Sequence, residues 1–143
     1  MKDDKNKKKL DMFNVVLLGI VFDPEKKQIL LGRRENDLII PKLRWCFPGG
    51  RLNNGKEDVD KALKRQIKQK TGYGVKNLGA VFARIPPEKE DMAIIYFLCE
   101  VFEGKKNPGD GIKELRWVNP EEVEAYFKTS FNSRLKEYIM NLK

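Results

Sequence analysis

The sequence predicts an α+β sandwich in which helices pack on the faces of a mixed sheet. Three observations carry this. FNVVLLGIVF (Phe13 to Phe22) and MAIIYFLCEVF (Met92 to Phe102) are continuous apolar runs, the mark of strands buried on both faces. One amphipathic helical segment, opening at Asp58 and closed by Gly72, lies between shorter strand signals. The order β-β-loop-α-β-β-β-α-α then places helices between and after strands rather than in a separate bundle.

Taken along the chain, Asp23-Pro24 opens a turn and QILLGRR (Gln28 to Arg34) reads as the hairpin partner of the first strand. ENDLIIPKLR is a loop whose apolar residues fold back over the core. WCFPGGRLNNG is dense in turn formers. From Asp58, residues Val59, Ala62, Leu63 and Ile67 recur on one helical face, with Asp58 and Asp60 suited to the positive helix start. Leu78 to Ile85 and Met92 to Phe102 read as two strands joined by PPEKED, the second at the centre of the sheet. IKELRWV is a short strand. Asn119-Pro120-Glu121-Glu122 has the cap, proline and acidic first turn of a helix start. A last amphipathic helix is expected from about Phe131 to Leu142. Trp45, Phe82 and Tyr96 are expected in the core, with one aromatic available to stack on a base.

Composition narrows the class. With 143 residues, 41% apolar and 35% charged, the chain reads as one globular domain, residues 10–143, preceded by a basic tail, residues 1–9. No run approaches the length of a membrane helix and the start is charged, so a cytoplasmic protein without membrane contact is expected. There is no histidine, which removes zinc sites and histidine-based nucleophilic catalysis. Cys46 and Cys99 lie in apolar stretches and read as buried free thiols, with a disulfide left open. The net charge of +8, from 29 basic and 21 acidic residues, favours anionic partners, or simply a solvated lysine-rich surface. The tail MKDDKNKKK adds weak attraction for nucleic acid but lacks interleaved aromatics for stacking bases.

The chemistry concentrates between Trp45 and Tyr73. Gly50 is followed seven positions later by Glu57, and eight positions on by Arg65-Gln66-Ile67-Lys68-Gln69-Lys70-Thr71-Gly72-Tyr73. With WCFPGGR before it and ELRWV-NPEEV after it, this stretch resembles the Nudix box of the MutT-like Nudix hydrolases. That pattern is a glycine, five residues, a glutamate, seven residues, then Arg-Glu-apolar-x-Glu-Glu-x-Gly-apolar. The skeleton matches at Arg65, Ile67, Gly72 and Tyr73, with one residue too many between Gly50 and Glu57. The resemblance runs from about Phe13 to the end. It implies a Nudix-type α/β/α sandwich with a mixed β-sheet and a loop-helix box, in which Gly49 and Gly50 let the loop turn into the helix.

It also implies what the site should hold. Carboxylates at i, i+3 and i+4 share one helix face. In the family they gather Mg2+ or Mn2+ against the diphosphate of a nucleoside-diphosphate-linked substrate. Here those three positions are Gln66, Gln69 and Lys70. Neutral amides hold magnesium weakly, and an ammonium about 4 Å from a cation is repelled by several kcal/mol at an effective dielectric near 20. Glu57 alone remains as a weak metal candidate.

Further features, LLGRREN, WCFPGGR and the late RW, are similar to the GDP-mannose mannosyl hydrolase subgroup. That resemblance assigns Arg34 and Arg51 to the diphosphate and Arg65 to bracing or polarising it. The subgroup's remaining metal glutamate, at the position of Lys70, and its histidine base are absent. Arg33 and Arg34 should point to opposite faces of their strand, so only one reaches the pocket. Two readings of Lys70 stay open, a phosphate-holding ammonium or a solvated helix position. Gln66 and Gln69 read as hydrogen bonders, and Asp110 as a turn residue or a distant-loop carboxylate. The expected function is a Nudix-type protein acting on or binding a nucleotide sugar or similar ligand, with catalysis by Glu57, Arg65 and Asp110 weak, altered or lost. The alternative is a non-catalytic nucleotide-binding module. Homodimerisation is common in the family and is a further expectation.

Overall fold

The structure, a computed structural model, describes residues 14–35, 44–53 and 57–142. The expected basic tail and the loop at 36–42 lie outside these.

Seven strands form one mixed sheet. Strand β1 (Asn14–Asp23) runs parallel to β6 (Met92–Gly104) along its length, and β6 is bordered on its other side by antiparallel β5 (Tyr73–Arg84). This puts the most apolar segment inside the sheet, as its composition requires. On its far side β1 meets two strands in succession. It pairs with β2 (Gln28–Arg34) at Phe22 and Asp23, and with β4 (Gly49–Arg51) at Val16 to Leu18. The sheet therefore splits, and β2 continues away from β1 between β3 (Trp45–Cys46) and β7 (Ile112–Val118).

Side chains alternate across β1. Leu17 and Val21 face helix α1 (Val59–Thr71), where Ala62, Leu63 and Ile67 complete one core with Leu30, Phe97, Cys99 and Leu115. Val16, Ile20 and Phe22 face the opposite layer and pack with Val123 of α2 (Val123–Tyr126) and Leu135 and Ile139 of α3 (Ser133–Met140). Two cores, one on each face, make the α/β/α sandwich. Gly19 keeps α1 close, since a methyl there would lie 2.6 Å from Ile67 Cδ1.

The ends of the elements follow local chemistry. Asp58 caps α1 by accepting from Lys61 N at 3.4 Å, and Gly72 ends it at φ 82°. Because Gly72 turns the chain directly into β5, that strand begins at Tyr73, five residues before the expected Leu78. Gly74 and Gly79, with register shifts along the β5–β6 ladder, obscure its alternation in sequence. The short strands β3 and β4 were not expected, because their glycines and Pro48 read as turn. The helix expected at Asn119 is a 3-10 turn (Pro120–Glu122) leading into the single turn of α2. Asn119 does not cap it; its Oδ1 accepts from Gln28 Nε2 at 3.2 Å. Helix α3 starts at Ser133 rather than Phe131, since Asn132 Oδ1 accepts from Arg134 N and Leu135 N.

Val59 is 38% exposed rather than on the core face. Trp45 is half-buried, edge-on to Tyr126 and covered by the Arg116 guanidinium 4.9 Å away. Cys46 and Cys99 are buried and are not joined in a disulfide. Among the described residues no helix is long and apolar enough to cross a membrane.

Candidate functional site

A cavity of about 440 Å³ lies over the split in the sheet. Its floor is the β1–β6 face (Val16, Leu18, Met92, Ile94), and one end is formed by β4 with Arg34 and Lys70. The opposite wall comes from the segment before α3, with Phe127, Ser130 and Phe131.

Lys70 is the last-turn residue that reaches this cavity. Only 8% of it is exposed, and its Nζ donates a hydrogen bond to the Gly49 carbonyl. Helix α1 packs on the other face of the sheet, so the side chain needs a gap to pass through. The glycines supply it. A methyl on Gly50 would sit 2.8 Å from Lys70 Nζ and 3.2 Å from Gln66 Oε1. Gly49 adopts φ 151°, and a methyl there would lie 2.0 Å from the Leu17 carbonyl. Gly49 is thus explained by close backbone approach, and Gly50 by the ends of the Lys70 and Gln66 side chains that pass beside it. Of the two readings of Lys70, the solvated one does not hold.

Gln66, 7% exposed, donates from Nε2 to the Arg51 carbonyl at 2.6 Å and ties the loop to the helix. Its Oε1 is buried without a hydrogen-bond partner. Arg34 and Arg51 both line the cavity. Arg51 donates to Asn14 Oδ1 at 3.1 Å. Arg33 turns away, as strand alternation requires, and pairs with Glu35 at 2.8 Å and Glu114 at 3.2 Å.

The remaining sequence-derived candidates form a second group outside the cavity lining. Arg65 grips both oxygens of Glu57, with Nε 2.9 Å from Oε2 and Nη2 2.8 Å from Oε1. Its Nη1 donates to Gln69 Oε1 at 3.2 Å. The Arg65 guanidinium lowers the Glu57 pKa below the ordinary carboxylate value, and the carboxylate in turn raises that of Arg65, with a smaller contribution from the charge of Asp110. Asp110 sits in a turn at φ 50°, in a loop tied to the helix end by Gly109 N to Lys70 O at 3.1 Å.

These residues do not fit a divalent cation on the helix. A buried ammonium holds the Gly49 carbonyl, one glutamine is committed through its amide nitrogen, and Glu57 is engaged by a guanidinium. Among the described residues no group of three or more acidic, cysteine or histidine side chains could hold a metal. What the arrangement offers instead is fixed positive charge beside glycine backbone, chemistry suited to phosphate oxygens.

Sequence reasoning missed Arg84, Glu88 and Ser130, all on the cavity wall. The available signal was weak: Phe82 and Arg84 alternate on β5, opposite Tyr96 and Ile94. Phe131, expected as the start of the last helix, and Phe127, which sequence reasoning did not single out, also line it.

The sequence profile of the NUDIX domain matches residues 12–142. No curated protein sequence matches the chain. Among solved structures, MutT from Methanosarcina mazei Go1 superposes with a TM-score of 0.67 at 17% identity, over 90% of this chain and 91% of that one. A structure from work on MutT of Aliivibrio salmonicida and Vibrio cholerae gives 0.68 at 19%, over 89% and 95%. An ADP-ribose pyrophosphatase from Streptococcus suis gives 0.60 at 17%, over 76% and 75%. At these identities the likeness establishes the shared fold.

Proposed function

Because the chain belongs to the NUDIX domain family yet carries an ammonium on its box helix, we propose that it binds a nucleoside-diphosphate-type ligand without a divalent cation. Metal-dependent hydrolysis is then weak or lost. The single observation that carries this reading is Lys70, buried at the cavity end with its Nζ on the Gly49 carbonyl. Lys70 supplies the positive charge that a metal would bring to the diphosphate, and Arg34 and Arg51 supply guanidinium donors in the same cavity. Glu57 and Arg65 brace the loop against α1, a role their bidentate pairing supports.

Weak hydrolysis through a cation recruited by Glu57 or Asp110 is the second reading. It has less support, since neither lines the cavity and Glu57 is held by Arg65. The ligand class covers nucleotide sugars, ADP-ribose and simple nucleoside diphosphates.

A thermal-shift screen of such compounds, with Mg2+ and with EDTA, tests the proposal. Stabilisation that EDTA leaves intact is expected. Stabilisation only with Mg2+, or steady metal-dependent turnover, would overturn it.

A further inference from the structure

The wall opposite Lys70 is held differently from the rest of the cavity. Residues 128–131 belong to no helix or strand. They run between Phe127, whose N–H closes the turn of α2 on Glu124 O, and Asn132, which caps α3. Thr129, Ser130 and Phe131 line the cavity from this segment. Among the described residues, no backbone–backbone hydrogen bond joins 128–131 to the rest of the chain. Segments with so few backbone ties open most readily.

Its polar ties converge on Ser130, whose three polar groups are all engaged. Ser130 N donates to Glu88 Oε2 at 2.5 Å and Ser130 Oγ to Glu88 Oε1 at 2.7 Å. Its carbonyl and Oγ accept from Arg84 Nη2 at 3.4 Å and 3.1 Å. Glu88 stands on a stiff post, since Pro86 and Pro87 fix the backbone before it and Lys89 N closes the turn on Pro86 O at 3.2 Å. One group opposes this closed arrangement. Arg84 Nε is buried without a hydrogen-bond partner, a cost that lasts while water is kept from the guanidinium. Charge-assisted bonds to Glu88 and an unmatched buried N–H are of similar size and opposite sign, so the closed state is poised rather than locked.

We infer that residues 128–131 form a strap over the cavity, latched shut by the Glu88 carboxylate on Ser130, and that its release admits the ligand. The ends are fixed: Phe127 packs on Phe47 with ring centroids 5.3 Å apart, and Asn132 holds the start of α3. Lifting the strap takes Ser130 from Arg84 and opens the guanidinium to water. The passage of a ligand rests on the proposed diphosphate-binding reading, whereas the latch does not.

Amide hydrogen exchange on the ligand-free wild type, Glu88→Gln and Ser130→Ala tests the latch. In Glu88→Gln an amide nitrogen faces a donor of Ser130, so exchange at residues 129–131 should quicken about tenfold, the scale of a hydrogen bond to a charged group. Ser130→Ala keeps the bond from its own N–H and should show a smaller rise. Unchanged exchange in α1 confirms that both variants are folded. Stopped-flow binding of adenosine diphosphate in EDTA tests the passage. A gate speeds entry and exit alike, so both rates should rise at least about threefold in Glu88→Gln while the dissociation constant stays within about twofold. Unaltered exchange at 129–131 in both variants would overturn the latch. Faster exchange with unaltered binding rates, or a rise in dissociation alone, would overturn the gate while leaving diphosphate binding standing. Failure of adenosine diphosphate to bind the wild type would overturn the binding reading and the gate with it, and the exchange would still decide the latch.

Discussion

The Lys70 ammonium donates to the carbonyl of Gly49, joining the last turn of α1 to the glycine loop on the other side of the sheet split. Helix, loop and cavity meet at this contact, and it is the position where the family's pattern calls for a carboxylate and a cation.

Gly49 admits no side chain. At φ 151°, with the Leu17 carbonyl 2.0 Å from any added methyl, Gly49→Ala has both backbone strain and a clash to relieve. Such strain costs on the order of 1–3 kcal/mol. Urea unfolding should show Gly49→Ala destabilised by about 2 kcal/mol or more. An unchanged midpoint would show that the loop relaxes freely.

Gly50→Ala is expected to behave differently. The added methyl meets the ends of the Lys70 and Gln66 side chains rather than backbone, so these can shift. Pyrophosphate affinity should fall while the melting temperature moves little. A large loss of stability with affinity preserved would contradict this division.

Acid should erase the contribution of the Glu57–Arg65 pair. The Arg65 guanidinium holds the Glu57 carboxyl below its ordinary 4.5, so the folded state gains from the ionised form. With a depressed pKa, that gain is present above about pH 4.5 and fades as pH falls through the folded value. Glu57→Gln should therefore lower the melting temperature at pH 7, and the difference should close on acidification. A difference that persists at pH 2 would mean the glutamine acts through packing instead.

Cys99 should be chemically silent. It is fully buried under α1, and burial pushes its thiol up to about 12. A thiol reagent at pH 8 should label Cys99 only after unfolding. Rapid labelling of the folded chain would show that α1 opens away from the sheet.

The fold was legible because its two longest apolar runs are continuous and read as buried strands, and the helix from Asp58 to Gly72 carries a helical apolar period closed by a cap at each end. Gln28–Arg34 and Ile112–Val118 emerged with the expected boundaries for the same reason. What failed was set by non-local contacts. Gly74 and Gly79 broke the pattern of β5, while WCFPGG hid two short strands that exist only because β1 and β2 pair with them. The site divided in the same way. Spacing placed Gln66, Gln69 and Lys70 on one face; in the structure Gln66 and Lys70 reach the Gly49–Gly50 gap. Gln69 does not join them: it accepts from Arg65, which grips Glu57 outside the cavity lining. Arg84 stayed hidden because its partner Ser130 is 46 residues distant and neither belongs to a motif.

Restoring the family's carboxylates should restore its chemistry in part. Gln66→Glu, Gln69→Glu and Lys70→Glu together put three carboxylates where two amides and an ammonium stand. Calorimetry should detect Mn2+ binding to the triple variant and none at micromolar concentration in the wild type. If the triple variant gains no metal affinity and keeps its ligand affinity, the assignment of this helix face is wrong.

The central claim is that Lys70 stands in for the cation, and Lys70→Met tests it most directly, because it keeps the length of the side chain and removes the charge. The measurement is calorimetric titration of a nucleoside diphosphate in EDTA, with Lys70→Arg as the charge-preserving control. The prediction is a loss of affinity of about tenfold or more in Lys70→Met, the scale of a hydrogen bond to a charged group, and a smaller loss in Lys70→Arg. Undiminished affinity in a folded Lys70→Met would contradict the account.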